Sequence, residues 1–94
     1  MRIDWSESAA DDLRYILDFI SARSPSGAVK TSDRILNAVA LLSDFPRIAR
    51  SSRHRGLREK VVPRTPYIVI YRVEEDRVEI RAIVHGKQGR RDPE

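Results

Sequence analysis

Apolar residues recur in the N-terminal half of the chain at the spacing of two amphipathic helices. The first apolar stripe consists of Ala9, Leu13, Ile16, Leu17 and Ile20. Positions three and four apart share one face of a helix, so this stripe predicts a helix that buries it. Ser6 precedes the stripe as a candidate N-cap, because its hydroxyl can accept from an otherwise unpaired N–H of the first turn. Pro25 and Gly27 favour a turn, so the segment 22–27 ends this helix.

A second stripe predicts a helix over residues 26–43. Its members are Ala28, Ser32, Ile35, Val39 and Leu42. This helix ends near Phe45, because a residue that precedes a proline is pushed away from helical backbone angles. The two helices, joined by a short turn, form a helical hairpin.

The pattern changes to the alternation of strands in the C-terminal half. Residues 57–62, 67–73 and 78–84 read as strands, as does the short segment 2–5, and the acidic and basic tip 74–77 joins the last two. Counting outward from the tip predicts a core face made of Tyr67, Val69, Tyr71, Val73, Val78, Ile80, Ala82 and Val84. The opposite face then holds Ile68, Ile70, Arg72, Glu79, Arg81, Ile83 and His85. On this count Arg72 lies across from Glu79 and Ile70 across from Arg81.

These elements predict an α+β fold in the order β-α-α-β-β-β, with the helical hairpin packed on one face of a small antiparallel sheet. A chain of 94 residues suits one domain, so we expect residues 1–94 to form it, with 88–94 as a mobile tail. No apolar run exceeds about seven residues, against the roughly 20 that a membrane span requires. The N-terminus lacks the apolar region of a signal peptide, which favours a soluble cytoplasmic protein. With no cysteine and two histidines, we expect no metal site and no cofactor.

The basic residues are concentrated in one segment. Residues 1–46 carry a net charge of −2, whereas residues 47–64 carry seven cations and one carboxylate, a net of +6. The cations are Arg47, Arg50, Arg53, Arg55, Arg58, Lys60 and Arg64. Such a segment attracts a polyanion, either nucleic acid or an acidic protein segment, although it could also be a solvated loop.

The order of elements and several short motifs resemble the RelE/ParE superfamily of type II toxins. The motifs are WSESAADDLRYI at the start, the FP that closes the second helix, GLRE, PYIVIYRV and VEIRAIVHGKQGRR. The resemblance spans residues 4 to about 91 and implies a small toxin that a co-expressed protein antitoxin neutralises. The antitoxin would also bind operator DNA, so this chain would meet that DNA only indirectly. The superfamily contains ribosome-dependent mRNA endonucleases that resemble RelE, and toxins that resemble ParE and poison DNA gyrase.

A nuclease would need a proton acceptor, a proton donor and cations around the phosphate. On the predicted open face, Arg72 and Arg81 would hold phosphate and His85 or Glu59 would exchange protons, with Arg58 beside them. Histidine suits this role because its unperturbed pKa is about 6.5. Each residue also has a structural explanation: Arg72 can pair with Glu79, Arg81 can cover apolar surface, and His85 can be a hydrogen-bonded strand-end residue.

The C-terminal part of the chain departs from the RelE pattern. RelE-like toxins use a C-terminal aromatic residue, which can stack a base with about 1–3 kcal/mol, and a dense set of lysines. Here the last aromatic residue is Tyr71, on the predicted core face, and the lysines number three. This favours the ParE-like branch and no catalytic residues, with the mRNA endonuclease and a basic nucleic-acid-binding module as alternatives.

A protein partner needs a contact surface rather than tuned pKa values. The predicted target-binding or antitoxin-binding residues are Arg47, Arg50, Arg53, Arg55, Arg58, Lys60, Ile68, Ile70, Arg72, Arg81, Ile83 and His85. The three isoleucines are expected to be exposed on the open face of the sheet. An apolar segment of the antitoxin, lying on that face or in the groove beside the helical hairpin, would cover them.

Overall fold

A computed structural model describes residues 1–86; the predicted tail 88–94 lies outside the described residues. The elements are β1 (Arg2–Trp5), α1 (Glu7–Ser21), α2 (Pro25–Asp44), β2 (Arg50–Ser51), β3 (Arg58–Val61), β4 (Tyr67–Val73) and β5 (Arg77–His85). The predicted order is confirmed, with the two-residue strand β2 as an addition. Neither helix has the length and apolar character that a membrane crossing requires, as far as residues 1–86 are concerned.

Serine caps set the first turn of each helix. The Ser6 hydroxyl accepts from the Ala9 N–H at 3.0 Å, as the sequence predicts. Ser24 does the same for Gly27, also at 3.0 Å, so that α2 begins at Pro25. Proline is tolerated in the first turn because its missing N–H would be unpaired there. Helix α2 ends at Asp44, immediately before Phe45 and Pro46, which confirms the predicted stop.

The five strands form one mixed sheet in the order β1-β5-β4-β3-β2. Strand β1 runs parallel to β5, while all other neighbours are antiparallel. The predicted α+β class with a helical hairpin on one face of the sheet is confirmed, and the parallel edge strand makes the sheet mixed rather than purely antiparallel. We call the face that packs on α1 and α2 the helix face, and the other the open face.

The core lies between the helix face and the two helices. Its largest fully buried side chains are Tyr71, Ile35, Leu42, Ile80, Val62, Val69 and Val78. Burying each large apolar side chain contributes roughly 1.5–3 kcal/mol. The stripes predicted for the two helices therefore supply one side of the core, and alternate residues of β4 and β5 supply the other.

The hairpin of β4 and β5 contains an irregularity that the sequence count does not include. Arg72 lies opposite Glu79 as predicted, but Tyr71 lies opposite Ile80 and Ile70 opposite Ala82. Arg81 is thus an extra residue, as in a β-bulge. The predicted pairing of Ile70 with Arg81 is wrong for this reason.

The extra residue reverses which face the following side chains occupy. Ile83 lies opposite Val69 and His85 opposite Tyr67, both on the helix face, while Ala82 and Val84 lie on the open face. The predicted faces of these four residues are therefore wrong.

The start of α1 holds the irregularity in place. The Ser6 N–H donates to the Ile80 carbonyl at 2.9 Å, and the Ser6 hydroxyl donates to the Arg81 carbonyl at 3.3 Å. Ser6 therefore caps α1 and satisfies the carbonyl of the extra residue at the same time.

Candidate interaction site

The residues suggested for a nuclease site are divided between the two faces of the sheet. Arg72 and Glu79 lie on the open face, whereas His85 lies on the helix face beyond the extra residue Arg81. Arg81 pairs with Glu79 instead, at 3.5 Å. The idea that Arg72, Arg81 and His85 share one face is therefore wrong.

Arg72 packs against the loop that follows β2. Its guanidinium lies 3.6 Å from the position that a Cβ would take on Gly56, a glycine with a positive φ of 79°. The Arg72 Nε is buried without a hydrogen-bond partner in the described structure, and its closest carboxylate oxygen, on Glu74, is 4.0 Å away. This arginine therefore has a structural role in supporting the loop, with its guanidinium partly exposed.

Arg58 and Glu59 also make local contacts. Arg58 donates from Nη1 to the Ala49 carbonyl at 2.8 Å, and Glu59 pairs with Arg50 at 3.2 Å. These contacts join β3 to β2 and to the residue that precedes β2. Glu59 and Arg72 share the open face, whereas Arg58 and His85 lie on the helix face. This division of the nuclease candidates between two faces, together with their local contacts, weakens the nuclease interpretation.

The connection between α2 and β3, residues 45–57, is called the Arg-rich segment below. It carries Arg47, Arg50, Arg53 and Arg55, all exposed. Tyr71 anchors its start, because the buried phenol donates to the Pro46 carbonyl at 2.8 Å. Burial raises the pKa of Tyr71, against the smaller opposing effects of a backbone hydrogen bond from Ala49 and the charge of Arg58. The Arg-rich segment is thus a basic surface whose first residues are fixed to the core.

An apolar groove of about 620 Å³ lies between α1 and the end of β5. Its wall on α1 includes Tyr15, whose surface is 73% exposed, and Phe19, which is 52% exposed. On the sheet side Tyr67 and His85 meet edge to face, with ring centres 5.8 Å apart. Exposed aromatic side chains such as Tyr15 and Phe19 are typical of a protein-binding surface.

The groove also borders an open sheet edge. Strand β1 pairs with β5 only as far as Ile80, so the following residues of β5 have no strand on that side within residues 1–86. Asp12 partly satisfies this edge by accepting from the Ile83 N–H at 3.0 Å. An edge of this type can accept an extended segment from another chain.

The apolar surface predicted from the sequence lies elsewhere than expected. Ile68 and Ile83 are 3% and 4% exposed, so the expectation that they are exposed is wrong, and Ile70 is half-buried. Tyr15 and Phe19 were missed, although they lie four residues apart and off the core stripe of α1. That spacing is the signal that would have identified an exposed aromatic face.

The remaining predicted contact residues are divided among several surfaces. Arg50 and Arg72 lie on the open face, Arg58 and Lys60 on the helix face, and Arg81 is exposed at the irregularity. No group of three or more metal-ligating side chains (His, Cys, Asp or Glu) occurs in the part of the chain that the structure describes. The arrangement offers two separate contact surfaces, the Arg-rich segment and the groove.

Comparison with known proteins assigns a family to this fold. Residues 3–90 match the family described as ParE toxin of type II toxin-antitoxin system, parDE. The candidate toxin Y4kP of Sinorhizobium fredii is 36% identical over 87 residues, which cover 93% of this chain and 90% of that protein. A solved structure from the chromosomal ParDE toxin-antitoxin system of P. aeruginosa superimposes with a TM-score of 0.81 at 25% identity. The superposition covers 90% of this chain and 95% of the P. aeruginosa chain. The chain therefore belongs to the ParE toxin family of type II toxin-antitoxin systems.

Proposed function

We propose that this toxin acts in the cytoplasm by inhibiting DNA gyrase and is neutralised by a co-expressed protein antitoxin. Gyrase is the target that the ParE-like resemblance implies. The observation that carries the choice between targets is that His85 lies on the helix face, apart from Arg72 on the open face, while Glu59, the other proton-transfer candidate, forms an ion pair with Arg50 at 3.2 Å. A gyrase poison needs contact surfaces, whereas an mRNA endonuclease needs its proton-transfer group and its phosphate-binding cations at one place.

The antitoxin is proposed to occupy the groove between α1 and β5. Its apolar side chains would cover Tyr15 and Phe19, and an extended part of its chain could pair with the open edge of β5. The exposure of the two aromatic residues supports this placement. So does the Ile83 N–H, which donates to the Asp12 side chain rather than to a neighbouring strand. The Arg-rich segment lies on other elements and would remain available to the target or to acidic residues of the antitoxin.

The test is a DNA supercoiling reaction in which purified toxin is titrated against gyrase. We expect loss of supercoiling and accumulation of cleaved DNA, with both effects reversed by added antitoxin. His85→Gln is the matched variant for the nuclease alternative, because it removes the only candidate proton-transfer ring and preserves a polar side chain. It should keep gyrase inhibition in proportion to the folded fraction, measured by circular dichroism.

Two results would contradict this proposal. One is an unchanged supercoiling reaction at a clear excess of folded toxin. The other is cleavage of ribosome-bound mRNA by the wild-type chain that His85→Gln abolishes without unfolding it. The second result would make the endonuclease the correct function.

A further inference from the structure

A basic cleft of about 240 Å³ lies between α2 and the turn that joins β3 to β4. It shares no lining residue with the groove between α1 and β5. Arg34 reaches it from α2, Lys60 from β3 and Arg64 from the turn. The packing of the core does not require three cations around this cleft, and the groove does not include them.

These cations have no anionic counterpart in the described structure. Within residues 1–86, no carboxylate forms an ion pair with any of the three, and no acidic residue lines the cleft. Arg34 instead donates from Nη1 to the Arg64 carbonyl at 3.3 Å. A cleft lined by charges of one sign focuses the electric field and concentrates ligands of the opposite sign.

The conformation of Arg64 is a second, independent observation. Its φ is 61°, and it is the only non-glycine residue with a positive φ among residues 1–86. The Thr65 N–H donates to the Val62 carbonyl at 3.3 Å across Pro63 and Arg64, the pattern of a type II turn. Glycine is the favoured residue at the third position of such a turn. An arginine held there against its backbone preference points to a role for its side chain.

The lining of the cleft selects the class of ligand. Beside the cations its floor is apolar, formed by Ala38, Leu41 and Pro63. A nucleic-acid backbone offers phosphates but no apolar side chain that could enter this floor, whereas a peptide can offer both a carboxylate and an apolar side chain. We propose that the cleft binds an acidic, amphipathic peptide segment of a protein partner. The antitoxin is the partner that supplies this segment, because the toxin-antitoxin family implies such a partner. The inference rests on the proposed function in this one respect.

The test compares Arg64→Gly with Arg55→Gly in the full chain. The probe is a fluorescein-labelled 12-residue peptide of four Glu-Glu-Leu repeats, and its binding is followed by fluorescence anisotropy at low salt. We expect Arg64→Gly to weaken binding about 10-fold, the loss of one charge-assisted contact. The same variant should melt at a higher temperature than the wild type, because glycine relieves the positive φ. Arg55→Gly removes an equal charge from the Arg-rich segment and should change binding less than about twofold.

Three outcomes would overturn the proposal. If both variants weaken binding equally, the attraction is general electrostatics rather than a site. If a peptide of four Gln-Gln-Leu repeats binds as tightly as the acidic one, carboxylates are not recognised. If a 20-base-pair DNA duplex binds more tightly than the peptide with the same dependence on Arg64, the cleft is a phosphate site. Gyrase takes no part in the peptide-binding measurements. Their failure would therefore leave gyrase inhibition untouched as the proposed function. If the supercoiling test failed instead, the peptide-binding results could still be interpreted.

Discussion

At the scale of single residues, Tyr71 connects the core to the Arg-rich segment. Its ring is fully buried among the apolar side chains of both layers, while its hydroxyl donates to the Pro46 carbonyl at 2.8 Å. A buried hydroxyl without a partner costs free energy, so the position of Pro46 and the packing of the ring stabilise each other. The segment that follows therefore leaves the core at a defined point.

Replacing Tyr71 with phenylalanine should reduce the free energy of unfolding by about 1–2 kcal/mol at neutral pH, because the Pro46 carbonyl loses its donor. Burial raises the pKa of Tyr71 above its usual 10.0. The unfolded chain then releases the phenol proton at lower pH than the folded chain. The stabilising contribution of Tyr71 is thus complete below about pH 10 and declines as the pH rises above that value.

The measurement is urea denaturation of both proteins between pH 7 and pH 11. The difference in unfolding free energy between wild type and Tyr71→Phe should be constant to about pH 10 and should shrink above it. A difference that stays constant across the whole range would mean that burial does not perturb the phenol.

At the scale of elements, the junction between α1 and β5 depends on Ser6. Ser6→Ala removes the acceptor for the Ala9 N–H and the donor to the Arg81 carbonyl. We expect a loss of about 1–2 kcal/mol in unfolding free energy, at the upper end for a helix cap. Ser8→Ala is the matched control, since Ser8 is exposed in the same turn and should change stability by less than about 0.5 kcal/mol. Equal losses in the two variants would show that Ser6 acts only through helix propensity.

The same junction explains which parts of the structure the sequence could predict. The helices depend on local signals, namely the apolar stripes, the Ser6 cap and the stop before Pro46, and these were predicted correctly. The faces of Ile83 and His85 depend on the extra residue Arg81, which contacts Ser6 across 75 positions of the chain. Counting alternate residues along a strand cannot detect that contact. The residues that form the groove could not be identified for a similar reason, because the groove combines α1 with the end of β5.

The groove gives a prediction for antitoxin binding. Tyr15→Asp should weaken antitoxin binding by about 10- to 100-fold, because a charge replaces an exposed aromatic side chain at the centre of an apolar contact. Isothermal titration calorimetry would measure the dissociation constant. Val29→Asp on α2 is the control, since Val29 is 61% exposed and lies outside the groove. Normal binding by Tyr15→Asp would exclude the groove as the antitoxin site.

At the scale of the whole molecule, charge is separated between the two halves of the chain. The part that forms β1 and the helices has a net charge of −2, and residues 47–64 have a net charge of +6. The Arg-rich segment carries four of these cations, and contacts with Tyr71 and Arg58 fix its first residues to the sheet. Such a distribution orients an approaching partner before contact, and its effect on association weakens as salt screens it.

This arrangement predicts how substitutions affect the rate of association with gyrase, the proposed target. Arg47→Gln combined with Arg55→Gln should slow association about 3- to 10-fold at low ionic strength, because both side chains belong to the basic surface. The control variant, Arg2→Gln combined with Arg14→Gln, also removes two positive charges. These two arginines are paired with Asp4 and Asp11. That control should change the rate less than about twofold, because its charges lie away from the Arg-rich segment, with β1 at the opposite edge of the sheet from β2, and salt screens charges that are distant from the contact.

Stopped-flow measurements over a range of salt concentrations distinguish steering by the Arg-rich segment from a general effect of net charge. If the charges of the Arg-rich segment steer association, only the variant that lacks Arg47 and Arg55 should associate slowly at low salt. Its rate should approach the wild-type rate toward 1 M salt, where the screening length falls to about 3 Å. If both double variants slow association equally, net charge alone determines the rate. The Arg-rich segment would then have no part in orienting the target.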